Sequence, residues 1–222
     1  MKIIAHGGYS SRYQENTLES YKAAIPYNPY ALEMDVIFDS EHNILKCFRP
    51  VGSSNNAGIF ISLNEDMSVY PSFTDLLSAL SWEGKVLMDI KNPSIDALKS
   101  VLMLPPNIQN SLIVGIRDES LLEFLNNIEY TFETIGLISS LEQVKKFTSQ
   151  GCTYIRLWQH DLTTEHLNSR FYGTKIWITP GTKTPRTAGD TTLADLLKFN
   201  DLGADGVLLN DLELGALFLK TL

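Results

Sequence analysis

Cysteine is scarce in this sequence, with two in 222 residues, too few for a disulfide framework. Cys47 and Cys152 each sit in an apolar, strand-like run, which reads as reduced core thiols and points to a cytoplasmic setting. Long hydrophobic runs are missing too. None approaches the roughly 18 residues of a membrane span, and residues 1–6 turn polar too early for a secretory leader. No membrane insertion is expected. Positive charge is also short: 18 Lys and Arg stand against 26 Asp and Glu, a formal net charge of -8. Lys175, Lys183 and Arg186 make only a scattered basic patch, which argues against nucleic acid or an anionic membrane surface as the main partner.

What the chain does have is core material. At 44% hydrophobic and 20% charged, it is long enough for one large domain over 1–222 and too short for two. Short apolar or β-branched runs recur at 2–5, 32–38, 85–90, 112–116, 133–138, 154–158, 175–179 and 205–209. Amphipathic stretches alternate with them at 17–25, 73–80, 95–102, 119–128, 141–150, 164–171, 193–202 and 212–219. This α/β alternation predicts a closed (β/α)₈ TIM barrel. An open doubly wound sheet could hold the same units, but it usually has fewer strands and leaves edges. Residues 44–48 predict a short hairpin partner for the second strand, and 51–56 a loop.

Positions two apart on a strand share a face, so Glu33 and Asp35 point together, as do Asp89 and Lys91. Both pairs lie near strand C-terminal ends, where this fold keeps its active sites. Three converging carboxylates repel one another unless a cation joins them. One reading places a hard divalent ion there, Mg2+ or Ca2+, because the ligands are all oxygen. The other pairs the carboxylates with Lys91 and nearby arginines, with no metal. His6 ends the first strand and is followed by Gly7-Gly8, where backbone can approach a ligand closely. Next, Glu15-Asn16-Thr17 precedes a helical pattern. Asn16 or Thr17 is expected as its N-cap, capping alone accounts for Asn16, and Glu15 could brace a metal shell.

Taken in order, these motifs resemble the glycerophosphodiester phosphodiesterase family, as a divergent member. The likeness rests on His6 and Gly8, Glu15-Asn16-Thr17, Glu33-Met34-Asp35, Tyr70-Pro71-Ser72-Phe73, Asp89-Ile90-Lys91, Trp177, and Gly203-Ala204-Asp205-Gly206 with Asp211. It implies a (β/α)₈ barrel and metal-dependent hydrolysis of a small phosphodiester or related phosphorylated ligand of lipid metabolism. Glu33, Asp35 and Asp89 would bind the metal, His6 would act as acid or base, and Lys91 would neutralise charge. The departures are specific. The family's His-Arg-Gly reads His6-Gly7-Gly8, so the phosphate-holding arginine is absent. Its His-Asp pair falls on Phe48-Arg49, so the second catalytic histidine is absent. The glutamate of Glu-x-Lys is Asp89, as in the sphingomyelinase-D branch of the superfamily, and Trp-Thr has become Trp177-Ile178. The segment between Pro50 and Tyr70 is also shorter than the family's insertion.

Arg49 or Arg156 is expected to supply the missing phosphate contact, the alternative for Arg156 being an internal salt bridge. Trp158 and Trp177 could stack on a sugar or choline-like group, or simply pack. His42 and His166 are expected on the surface, while His160 could reach the mouth. The expectation is a phosphodiester hydrolase with divergent or weakened catalysis. Its rivals are a catalytically inactive barrel that binds a phosphorylated sugar or lipid headgroup, and a phosphate-binding barrel of another class, such as an isomerase, whose Gly-rich loops after strands seven and eight are not clearly present, though Pro180-Gly181-Thr182 comes close. No oligomeric state is read from the sequence.

Overall fold

The computed structural model describes residues 1–47, 69–162, 173–181 and 188–222. Phe48, Arg49, the expected loop at 51–56, the expected helix at 164–171 with His166, Thr182, Lys183 and Arg186 lie outside the described residues.

Among the described residues, nine strands form one sheet: β1 (Lys2–His6), β2 (Ala31–Asp39), β3 (Ile44–Cys47), β4 (Lys85–Ile90), β5 (Leu112–Ile116), β6 (Glu133–Gly136), β7 (Tyr154–Trp158), β8 (Lys175–Thr179) and β9 (Gly206–Leu209). All but β3 are parallel. β9 returns to pair with β1, so these eight close into the expected barrel. β3 is the hairpin partner, running antiparallel to β2 with Val36 opposite Cys47 and Asp39 opposite Ile44. β2 borders β1 only as far as Glu33, opposite His6, and takes β3 as a neighbour from Val36 onward. One wall of the barrel therefore stops at His6 while the next rises past it.

Local chemistry explains the crossovers. Side-chain oxygens hold open N–H groups at the starts of α1 (Leu18–Ala24, capped by Thr17), α2 (Phe73–Leu80, Ser72) and α3 (Ile95–Leu102, Ser94). A single turn, α4 (Pro106–Gln109), was not expected; it begins without a side-chain cap. Then follow α5 (Glu119–Leu125, capped by Asp118), α6 (Glu142–Ser149, no side-chain cap), α7 (Leu193–Asp201, Thr192) and α8 (Leu212–Thr221, Asp211). Among the described residues, no helix is long and apolar enough to cross a membrane. Both cysteines are buried and unbridged.

Alternation along the strands divides the core in two. Leu32, Met34, Met88 and Val114 face outward beneath the helices, whereas Ile4, Ala31, Leu87, Ile113, Ile135 and Leu208 fill the barrel. Each fully buried aliphatic side chain contributes about 1.5–3 kcal/mol. The N-terminal end is plugged by a polar and aromatic floor. There Tyr154 donates to Glu133 Oε1 at 3.0 Å, Tyr30 lies 3.2 Å from the Tyr154 oxygen, and Lys85 pairs with Glu133 at 2.9 Å. With that end closed, the opening at the strands' C-terminal ends is where chemistry can occur.

Candidate functional site

The upper end of the barrel gathers charge where the rest of the interior gathers hydrocarbon. β2 sends Glu33 and Asp35 inward and β4 sends Asp89, with Asp35 directly opposite Asp89 in the sheet register. One oxygen from each of the three lies within 4.8 Å of the others, and all three residues are buried. The surrounding loops hold them in place. Gly7 N–H donates to Glu33 Oε2 at 2.8 Å. Asn16 Nδ2 donates to Asp35 Oδ2 at 3.2 Å, while its Oδ1 accepts from the Asp35 N–H at 3.1 Å and the Tyr21 hydroxyl at 2.6 Å. Cations stand opposite. Lys91 Nζ bridges Asp35 and Asp89, and Arg117 Nη2 lies 2.7 Å from both Asp89 oxygens.

The charge balance is uneven across the cluster. Burial, and then Asp35, push the Glu33 carboxyl well above its ordinary value. Burial alone would raise Asp89 as well, but Arg117 and Lys91 outweigh it and hold that carboxyl far below the usual range. Negative charge is thus neutralised at Asp89 and left under-compensated at Glu33. A buried all-oxygen donor set whose Glu33 carboxyl favours taking up a proton or a cation suits a hard ion, so the three carboxylates could hold one. The ion pairs with Lys91 and an arginine, one of the two arrangements expected from the sequence, are present; the carboxylates of the other also converge.

His6 is adjacent, opposite Glu33 in the register. Asn210, just after β9, donates through Nδ2 to the Ala188 carbonyl at 2.7 Å and to Asp190 Oδ1 at 2.8 Å. Its Oδ1 therefore faces His6 Nδ1 at 2.7 Å and accepts from it. That fixes the Nδ1–H tautomer, leaving Nε2 as the basic nitrogen of the neutral ring.

No protein-family model matches the sequence, and no curated protein matches it. Solved structures do. A glycerophosphodiester phosphodiesterase from Thermotoga maritima has a TM-score of 0.74 and 18% identity, covering 100% of this chain and 98% of that one. One from Parabacteroides distasonis has a TM-score of 0.73 and 16% identity, over 99% and 97%. A phosphodiesterase from Oleispira antarctica, solved in complex with the product sn-glycerol-3-phosphate, has 0.72 and 15%, over 98% and 96%. The fold is that of the glycerophosphodiester phosphodiesterases.

On this glycerophosphodiester phosphodiesterase fold, several residues fall elsewhere than the sequence suggested. Asn16 does not cap α1. It sits at φ 60° and braces Asp35, while Thr17 takes the cap, accepting from Ser20 N–H at 3.2 Å. Trp177 is fully buried against the floor tyrosines, its ring centroid 4.5 Å from that of Tyr154 and 6.0 Å from that of Tyr30. The space comes from Gly206, opposite it in the sheet, where a Cβ would lie 2.8 Å from Trp177 Cδ1. The indole is packing, with no face left for a substrate. His42 is exposed and bonded to Asp39, and His160 pairs with Asp161 and stacks on Trp158. Arg156 is half-buried and faces into the barrel; Arg49 is outside the described residues. Glu15 is half-buried beside Gly7. Two residues of the site carried no sequence signal, Arg117 and Asn210. A groove of about 970 Å³ lies on the N-terminal face, near Tyr30, Trp82 and Lys85, and holds none of these residues.

The glycine pair after His6 is built for the absence of side chains. Gly7 has φ 60°, and a Cβ there would lie 2.9 Å from Glu15 Cβ, so the turn packs tightly against the Glu15 side chain. Gly8, at φ 86°, is tighter: a Cβ would meet Ser20 Oγ at 2.4 Å and the Ser20 carbonyl carbon at 2.7 Å. Gly8→Ala is therefore expected to destabilise the protein by about 1–3 kcal/mol, read as a lower denaturation midpoint, because a left-handed backbone and a backbone clash both oppose it. An unchanged midpoint would mean that the turn readily shifts.

Proposed function

We propose that the protein is a metal-dependent phosphodiester hydrolase of the glycerophosphodiester phosphodiesterase type, with weakened catalysis, acting on a small phosphodiester. One observation carries the reading: three buried carboxylates converge beside a histidine held in one tautomer, at the open end of a barrel with this fold. Glu33, Asp35 and Asp89 would hold Mg2+ or Ca2+, an ion that supplies polarisation of a phosphoryl oxygen. His6 Nε2, the nitrogen left without the proton when Nδ1 donates to Asn210, would take a proton from the nucleophile and return one to the leaving alkoxide. Lys91 offsets negative charge between Asp35 and Asp89. Glu15 packs against the Gly7 turn whose N–H holds Glu33.

Glu33→Ala is expected to weaken Ca2+ binding by more than about tenfold in isothermal titration, since it removes one of three ligands. Unchanged affinity would sink the metal site. The tight Gly7 turn favours a second reading, a catalytically inactive barrel that binds a phosphorylated sugar or lipid headgroup. Turnover of bis-p-nitrophenyl phosphate or glycerophosphocholine that needs both metal and His6 excludes it.

A further inference from the structure

We propose that Arg156 of β7 and Thr179 of β8 form the seat of the phosphoryl oxyanion, in place of the arginine that position 7 lacks. This rests on the phosphodiesterase reading and deepens it. Arg156 lies between Tyr154, which faces the barrel interior, and Trp158; Thr179 follows Trp177 on the same inward face. The strands pair with Arg156 opposite Trp177 and Trp158 opposite Thr179, making Arg156 and Thr179 diagonal neighbours at the mouth.

Each carries an orphaned polar atom. Arg156 Nε and Thr179 Oγ1 are buried without a hydrogen-bond partner, a state that native interiors largely avoid. Lys91 and Arg117 are engaged by Asp35 and Asp89, whereas Arg156 makes no ion pair among the described residues. Its guanidinium instead lies 4.7 Å above the Trp158 ring. A guanidinium over an aromatic face can still offer its N–H donors to an oxyanion; a threonine hydroxyl beside it adds another donor. Burial, and then the nearby Arg117, push the Arg156 guanidinium down to about 10, a penalty that a bound anion would relieve.

Position in the barrel supports the same division of labour. In the closed order β1-β2-β4-β5-β6-β7-β8-β9, β7 stands across from β2 and β8 across from β4. The carboxylates suited to a cation are on β2 and β4; the unpaired donors suited to an anion are on β7 and β8. A phosphoryl group between them would meet both.

The test is titration of the full chain with inorganic phosphate at fixed Mg2+, for the wild type, Arg156→Gln, Arg156→Lys and Thr179→Val, with Arg12→Gln as a surface control. Arg156→Gln is expected to weaken phosphate binding by about 10- to 100-fold, the loss that follows removal of a charged hydrogen-bond donor. Arg156→Lys should fall between, keeping charge without the planar edge, and Thr179→Val should lose less. Mg2+ affinity should stay constant throughout. If Arg156→Gln does not fold, Arg156→Lys and Thr179→Val decide. Wild type that binds no phosphate, variants that bind it unchanged, or a loss matched by Mg2+ would overturn the seat. Phosphate binding that depends on Arg156 without turnover of glycerophosphocholine would overturn the phosphodiesterase reading and leave the seat standing.

Discussion

Replacing His6 with Ala is expected to lower turnover of glycerophosphocholine by about 10²–10⁴-fold while Ca2+ binding stays intact. The split follows from geometry. His6 neighbours Glu33 in the register, yet its Nδ1 is committed to Asn210, so its side chain can be removed without removing an oxygen from the three carboxylates. Asn210→Ala should give a smaller loss of the same kind, because the imidazole remains while its tautomer lock goes, together with the Asn210 bonds to Ala188 and Asp190. Metal binding lost together with turnover would mean that His6 supports the cluster structurally. Full turnover in His6→Ala would remove it from the chemistry.

Asp89→Ala should be the most destabilising single change at the mouth, by about 3–5 kcal/mol in metal-free denaturant unfolding, because it leaves Lys91 and Arg117 facing each other without their shared carboxylate. The lower end is the better expectation. The Arg117 side chain is 33% exposed and keeps part of its hydration. Asp89→Leu combined with Arg117→Leu should recover part of the loss, since an apolar pair desolvates at little cost. The pairing also has a pH signature. The folded Asp89 carboxyl lies below its unfolded value, so its contribution is complete above the unfolded value of about 3.9 and is lost as the pH falls toward the folded one. A variant as stable as wild type would show that both cations already reach water.

Much of this architecture is legible in the chain because short-range rules write it. A strand's period of two puts Glu33 and Asp35 on one face whatever the tertiary fold, and Ser72, Ser94 and Thr192 mark helix starts by a hydrogen bond only three residues long. What was not legible depends on distance. Arg117 meets Asp89 across 28 residues, and nothing near either one encodes that meeting. Asn16 misleads for a different reason: an asparagine before a helix has the composition of a cap, and only the left-handed backbone at 60° turns its amide toward Asp35. Trp177 lies on the interior face as its strand phase implies. Its depth is set by the stagger of β8 against β9, which leaves the indole opposite Gly206 and below the mouth.

The bond from His6 to Asn210 spans 204 residues, from the end of the first strand to just after the last. It crosses the seam where β9 meets β1, the pairing that makes a ring of a ribbon. Contacts of such long sequence separation form late, after the loop-closure entropy of the intervening chain has been overcome. During synthesis His6 emerges first, and its orienting amide cannot arrive until nearly the whole barrel exists. A half-built ribbon can carry all three carboxylates, since β2 and β4 are near neighbours in the chain, but not the His6–Asn210 bond. If the protein hydrolyses and binds a cation as proposed, recovery of hydrolysis on refolding would therefore time the closing of the seam, and recovery of cation binding the docking of β4 on β2.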